Sequence, residues 1–217
     1  MNNLIISIDG PAGSGKGTIA KYIAKKYKLY HLDSGILYRR IAKVIMNKKI
    51  NYLNSYELAK FLKSIKLLSS RHHKILRTES VSRISSKIAI LPIIRKFINT
   101  QQRIIVKKKL NTFFGCVIDG RDIGTKVFRS AKIKLFINVK PEIRAKRRHK
   151  QLIALGEKSI YAQILKEIKL RDRIDINRVE SPLIPAKGAI FIDNSLDFLK
   201  TTKHINQILR KFEIYAR

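Results

Sequence analysis

Ile5-Ile6-Ser7-Ile8-Asp9-Gly10-Pro11-Ala12-Gly13-Ser14-Gly15-Lys16-Gly17-Thr18 begins as an apolar run, stops in a glycine-rich turn and passes into a helical pattern. The three pieces predict a strand, a loop and a helix N-terminus. Gly10, Gly13 and Gly15 can reach backbone angles closed to other residues, so successive N–H groups can converge on one anion while the helix dipole adds positive potential. Lys16 supplies a mobile point charge for a terminal phosphate, and Thr18 a hydroxyl suited to a metal ion beside it. Gly10, Pro11, Ala12, Gly13, Ser14, Gly15, Lys16, Gly17 and Thr18 are therefore the candidate contacts for a nucleotide's phosphates.

Around this stretch, 217 residues suffice for one sizeable core with inserted lobes, and 45% hydrophobic content is ordinary for a globular chain. No apolar run approaches the roughly 20 residues that span a bilayer, and no charged and then apolar leader precedes the first strand; both favour the cytoplasm. The single cysteine, Cys116, lies in the apolar run Cys116-Val117-Ile118, so it reads as a buried structural thiol. With 47 Lys and Arg against 15 Asp and Glu, the net charge is +32. Alone, that would suggest nucleic acid or an acidic membrane surface. The basic clusters at Lys25-Lys26, Lys48-Lys49, Lys107-Lys108-Lys109 and 144–150 are scattered along the chain, however, without the interleaved aromatics of a nucleic-acid face.

Downstream, Leu29-Tyr30-His31-Leu32 reads as a second strand, and Asp33-Ser34-Gly35 can cap a helix carrying Tyr38, Arg39 and Arg40. His31-Leu32-Asp33-Ser34-Gly35-Ile36-Leu37-Tyr38-Arg39, together with the Gly-Lys-Gly-Thr form of the loop, resembles the start of bacterial cytidylate kinases, a nucleoside monophosphate kinase branch of the P-loop kinases. The resemblance implies that Ser34 and Arg39, with Tyr38 beside them, hold the phosphate of an acceptor CMP. Between 47 and 96 it implies an inserted acceptor-binding lobe. Within that lobe Tyr56–Phe61 reads as a helix, and Ile65–Leu68 and Lys74–Leu76 as possible strands. The family's extra small sheet is shortened here by about a dozen residues between Ser70 and Ile75, roughly one hairpin. His72-His73 falls at that point and reads as an exposed turn.

Further motifs follow in order. Ser86 and Arg95 fall at positions that the resemblance assigns to the cytosine ring, whose O2 and N3 acceptors suit hydroxyl and guanidinium donors. Phe114-Gly115-Cys116-Val117-Ile118 is a buried strand, and Asp119 at its tip is placed to meet Mg²⁺. The run Asp119-Gly120-Arg121-Asp122-Ile123-Gly124-Thr125 implies Arg121 on the acceptor phosphate and Asp122 near the base. After a strand at Ile133–Val139, Pro141-Glu142 starts a helix on which Arg144, Arg147 and Arg148 share a face by spacing. Relatives use such arginines against adenine, here Arg144, and on the donor's terminal phosphates, here Arg148. Arg171, Asp175 and Arg178, at i, i+4 and i+7, form one helix stripe. The resemblance directs Arg171 and Asp175 toward the ribose and Arg178 toward phosphate. Ala189–Ile192 is a fifth strand, with Asp193-Asn194-Ser195 as an adenine-side loop.

Five apolar runs separated by helices predict an α/β fold with a five-stranded parallel sheet. The P-loop kinases order such strands 2-3-1-4-5, in a single domain over 1–217, here with a short lid over 144–170. The expected reaction is transfer of the γ-phosphoryl group of ATP to CMP or dCMP with Mg²⁺, by a monomer. Lys16, Arg121, Arg148 and Arg178 would neutralise the transferring group. The alternatives are a kinase for another monophosphate such as UMP or AMP, a basic nucleic-acid-binding P-loop protein, and an inactive homologue with a shortened insert.

Overall fold

Leu4–Asp9 forms β1, the middle strand of the molecule, and Ile6, Ser7 and Ile8 are wholly buried within it. The computed structural model describes residues 4–66, 68, 74–154, 156–195 and 197–215. Parallel neighbours β3 (Gly115–Gly120) and β4 (Ile133–Asn138) flank β1, pairing Ile8 with Asp119 and Asp9 with Gly120 on one side and Asp9 with Phe136 on the other. With β2 (Tyr30–Asp33) and β5 (Ile190–Asp193), the sheet takes the expected order β2-β3-β1-β4-β5. A strand covered on both faces has no polar face to alternate, which is why β1 and β3 read as continuous apolar runs.

The helices are α1 (Lys16–Tyr27), α2 (Ser34–Lys48), α3 (Ser55–Lys63), α4 (Glu79–Ile88), α5 (Pro92–Lys109), α6 (Pro141–Ala154), α7 (Tyr161–Asn177) and α8 (Phe198–Lys211). Among the described residues none is long and apolar enough to cross a membrane. The chain divides into two compact units, one of Met1–His31 with Phe113–Arg217 and the other of Leu32–Thr112. In the first, Ile6, Ile8, Ile19, Ile23, Val117, Leu135, Ile137, Ile192, Ile205 and Leu209 form one core between the sheet and its helices. The α6 and α7 pair, which contains the expected lid region 144–170, belongs to this unit.

The second unit is wider than the inserted lobe of 47–96 read from the sequence, because α2 and α5 supply its core. Ile36, Leu37, Ile41 and Ile45 of α2 are buried there, as are Leu58, Ile88, Ile94 and Ile98. Two expectations fail within it. Lys74–Arg77 is a 3₁₀ turn, and no strand forms at residues 65, 66 and 68. There the Gln101 side chain takes the place of a neighbouring strand: its Oε1 accepts from the Leu68 N–H at 2.8 Å, and its Nε2 donates to the Lys66 carbonyl at 3.3 Å. Short strands without a partner leave backbone groups to be satisfied elsewhere. Residues 69–73, including His72 and His73, lie outside the described residues.

Candidate active site

The glycine-rich loop lies at the carboxyl end of β1 and opens into α1, where an open α/β sheet presents its ligand crevice. Two glycines are required by geometry. Gly10 runs so close to β4 that a Cβ on it would lie 2.6 Å from the Ile137 carbonyl oxygen, and Gly15, the residue before α1, has φ +83°. Lys16 Nζ folds back onto the Pro11 carbonyl at 3.2 Å, and the Thr18 side chain is exposed. Two side chains from outside the loop pin its backbone. Arg144 Nη1 donates to the Ala12 carbonyl at 3.0 Å, and Asn194 Nδ2 donates to the Ser14 carbonyl at 2.8 Å.

Beside the loop, the β1–β3 register sets Asp119 against the start of α1, where its Oδ2 is 3.6 Å from where a Gly17 Cβ would sit. Its Oδ1 lies 2.6 Å from His31 Nε2, both groups being largely buried. The turn after Asp119 continues into a single π-helical turn, Ile123–Val127, preceded by the buried Asp122. Arg121, in the same turn, donates from Nε to Asp175 Oδ2 at 2.9 Å, while Arg178 Nη1 donates to Asp175 Oδ1 at 3.2 Å. Burial would push the Asp175 carboxyl upward. The charge and hydrogen bond of Arg121, then the charges of Arg178 and Arg171, outweigh it and hold the group below the usual carboxylate range. Arg171 and Arg178 act on Asp175 as the helical spacing predicts, Arg121 joins them from 54 residues away, and one difference remains. Helix α7 ends at Asn177, and Arg178 reaches Asp175 from an extended backbone (ψ 138°). Its Nε meets the Ser181 carbonyl at 2.5 Å.

The three arginines of α6 do not share one environment. Arg144 is buried, donating from Nε to the Val139 carbonyl at 2.9 Å and pairing through both Nη1 and Nη2 with the Asp172 carboxylate of α7. Arg147 Nη2 bonds the Ser195 carbonyl at 3.3 Å, and Arg148 Nη1 bonds Gln151 of its own helix at 3.1 Å; both are exposed. Sequence spacing alone could not separate them, because a bidentate partner 28 residues away draws Arg144 inward. The same applies to His31 and the Asn194 anchor, whose partners are set by the sheet, and to Asp172, whose partner is set by the packing of α7 on α6.

In the second unit the buried Arg95 guanidinium lies over the Tyr38 ring, 5.9 Å from its centroid, with Nε donating to the Ala89 carbonyl at 2.7 Å. Ser34 is buried at the start of α2. The expected side-chain cap there is not made: Asp33 holds the cap position of α2 without a capping hydrogen bond. At Gly35 a Cβ would sit 3.1 Å from Asp33 Oδ1, a tight contact, and 3.8 Å from Arg39 Nη1. Ser86 Oγ bonds back to the Ser82 carbonyl at 3.1 Å.

With this geometry in view, comparison with known proteins separates the family from the fold. Solved structures share the architecture at low identity. TT1252 from Thermus thermophilus superposes with a TM-score of 0.54 at 17% identity, covering 97% of this chain and 98% of that one. Shikimate kinase from Bacteroides thetaiotaomicron gives 0.53 at 11%, with the same coverage. Sequence relatives are more specific. A protein of Rhizobium meliloti (strain 1021) named cytidylate kinase is 39% identical over 191 residues, 88% of each chain. Another so named, from Brucella suis biovar 1 (strain 1330), is 39% identical over 191 residues, 88% of this chain and 85% of its own. The cytidylate kinase family pattern matches residues 6–213, and the chain belongs to that family.

Proposed function

We propose that the protein transfers the γ-phosphoryl group of ATP to CMP, and to dCMP, giving CDP or dCDP. One observation supports this reading most. The end of β3 lies against the start of α1 through Asp119, and the turn that follows it carries Arg121 into the Arg121–Asp175–Arg178 cluster, so one short segment serves the phosphate loop and a second anion-binding group. The acceptor is an ionised phosphate and needs no strong base. Catalysis is then positioning and neutralisation. Lys16 and the loop N–H groups hold the donor phosphates, Arg121 and Arg178 the acceptor phosphate, and Arg148 the transferring group when α6 brings it in. Arg144, locked onto Ala12 and Asp172, orients the loop and can face adenine only through its flat surface. Ser34, Tyr38, Arg39, Ser86, Arg95 and Arg171 are assigned to CMP on the family resemblance.

The donor set suits Mg²⁺. Asp119 is a carboxylate with Oδ2 toward Gly17, and Thr18 is an exposed hydroxyl one residue on. Mg²⁺ is ordinarily held by one or two carboxylates with substrate phosphates rather than by a protein cage, and no group of three His, Cys, Asp or Glu side chains gathers as one among the described residues. When bound, the ion would neutralise charge on the donor phosphates.

The test is ATP consumption with CMP, dCMP, UMP and AMP at matched Mg²⁺. Cytosine offers an amino donor at C4 to Asp122 and acceptors, N3 among them, to Arg95 or Ser86, and uracil reverses both the amino donor and the N3 acceptor. Each unsatisfied buried polar group costs about 1–3 kcal/mol, so CMP should exceed UMP by roughly 10- to 1,000-fold in kcat/KM. Asp122→Asn should narrow that ratio by about tenfold, since its NH₂ can meet the uracil oxygen. Equal use of UMP by the wild type would sink the assignment. The scattered basic residues predict only salt-sensitive, nonspecific nucleic-acid binding at about 10⁻⁴ to 10⁻⁶ M. A nanomolar, sequence-selective complex at physiological salt would favour the nucleic-acid alternative.

A further inference from the structure

Asp9, the last residue of β1, has no place in the scheme above, yet its side chain makes two of the most constrained contacts near the site. Oδ1 accepts the Ile123 N–H at 2.9 Å and Oδ2 accepts the Gly124 N–H at 2.8 Å. Two consecutive N–H donors require two acceptor atoms on one side chain. A carboxylate supplies both, whereas an amide would turn its NH₂ toward one of the donors. Behind these bonds the turn lies flat on the strand. A Cβ on Gly124 would fall 2.9 Å from Ser7 Oγ, 3.1 Å from Ala186 Cβ and 3.4 Å from Asp9 Oδ2. Asp122, the proposed base reader, immediately precedes the two donors. Gly10, the first residue of the phosphate loop, immediately follows Asp9.

We propose that Asp9 is a positioning residue for CMP selectivity, its carboxylate clamping the Asp122–Gly124 turn to the strand that begins the phosphate loop. This rests on the reading of Asp122 as the group that meets the cytosine amino donor. The clamp has a condition attached. Burial pushes the Asp9 carboxyl from its ordinary 3.8 up to about 6; the Gly124 and Ile123 N–H bonds oppose the rise, Asp122 adds to it and Lys16 again opposes it. These are the charged groups acting on Asp9, Asp122 from the turn after β3 and Lys16 from the first turn of α1. Above about pH 6 both oxygens accept. Below it one oxygen carries a proton, faces an N–H, and one of the two bonds is lost. Because Lys16 is the group that meets the donor phosphates, an anion bound there removes a charge that favours ionised Asp9, and the midpoint should move upward.

The clamp can be tested without substrate. In the full-length wild type, amide proton shifts of Ile123 and Gly124 should titrate together with a midpoint near pH 6, and inorganic tripolyphosphate should raise that midpoint. Asp9→Asn should abolish the titration. Amides that do not move through this range, or that still titrate in the variant, overturn the clamp. Kinetics then test its purpose. The CMP to UMP ratio of kcat/KM cancels the titration that both substrates' phosphates share, and neither base ionises in this window. That ratio should fall about tenfold, the worth of one hydrogen bond, between about pH 7.5 and 5.5 in the wild type. In Asp9→Asn it should be low and flat, with KM for CMP raised and KM for ATP within about twofold. A variant that keeps the wild-type ratio, or that loses ATP and CMP binding in equal measure, overturns the selectivity role. A wild type that does not use CMP overturns the functional reading instead, while the amide titration still decides the clamp.

Discussion

Lys16→Ala should lower phosphoryl transfer by about 10²- to 10³-fold while leaving the fold intact. In the free protein Lys16 Nζ rests on the Pro11 carbonyl of its own loop, and the side chain is no part of the apolar core that holds β1 and α1 together. Its loss therefore removes little packing. Its charge, however, meets the negative charge that develops between the β- and γ-phosphates as the bond breaks. Removing one preorganised electrostatic group at such a centre typically costs roughly 3–4 kcal/mol in the transition state, which is the expected factor. Single-turnover assays with CMP and ATP, alongside a thermal melt of the variant, provide the check. Turnover within tenfold of the wild type would remove the phosphate-loop reading. A melting temperature lowered by many degrees would show that the lysine also supports the fold.

Asp175→Ala should have the second largest effect, on stability and activity together. The carboxylate is shared by Arg121 and Arg178, whose side chains are only 18% and 6% exposed, so its removal leaves two poorly hydrated guanidinium groups facing each other. Breaking a buried pair costs about 3–5 kcal/mol; the residual exposure here discounts that to about 2–3 kcal/mol. The displaced arginines should also lower kcat/KM for CMP by about 10²-fold, the usual consequence of misplacing substrate-positioning groups by about an ångström. The pH dependence has a definite sign. Asp175 lies below its ordinary 3.8 in the folded protein, so its stabilising contribution is present above that value and is lost as pH falls through the lower folded value. Urea denaturation should show a gap between wild type and variant that is wide at pH 7 and closes below about pH 4. A gap that is constant with pH would mean that Asp175 acts by packing alone.

Much of the site was legible because its chemistry is local in sequence. The phosphate loop needs consecutive residues, Gly10 to Thr18, and the turn from Asp119 to Thr125 follows directly on a buried strand. Apolar runs bounded by polar turns specified the strands, since a doubly covered strand has no alternative use for such residues. The stripe Arg171, Asp175 and Arg178 was readable from helical period, although the chain leaves the helix before Arg178 and completes the ion pair from an extended backbone. The two strands expected in the second unit were misread. Short apolar pieces there carry no partner information: the side chain of Gln101, 33 residues away from Leu68, bonds the Leu68 N–H and the Lys66 carbonyl, and Lys74–Arg77 closes into a 3₁₀ turn.

What remained for the tertiary structure were pairings across long sequence separations. The β1–β3 register sets Asp9 beside Gly120, and so brings its carboxylate to the Ile123 and Gly124 amides 114 and 115 residues later. His31 meets Asp119 over 88 residues, and Asn194 meets the loop over 180. Arg144 looked like one of three equivalent basic residues on α6, until packing of α7 placed Asp172 against it and buried it. A motif records which groups a short stretch can offer. Which charge is buried, and which partner holds it, depends on desolvation and on neighbours that only the folded sheet and its helices bring within hydrogen-bond distance.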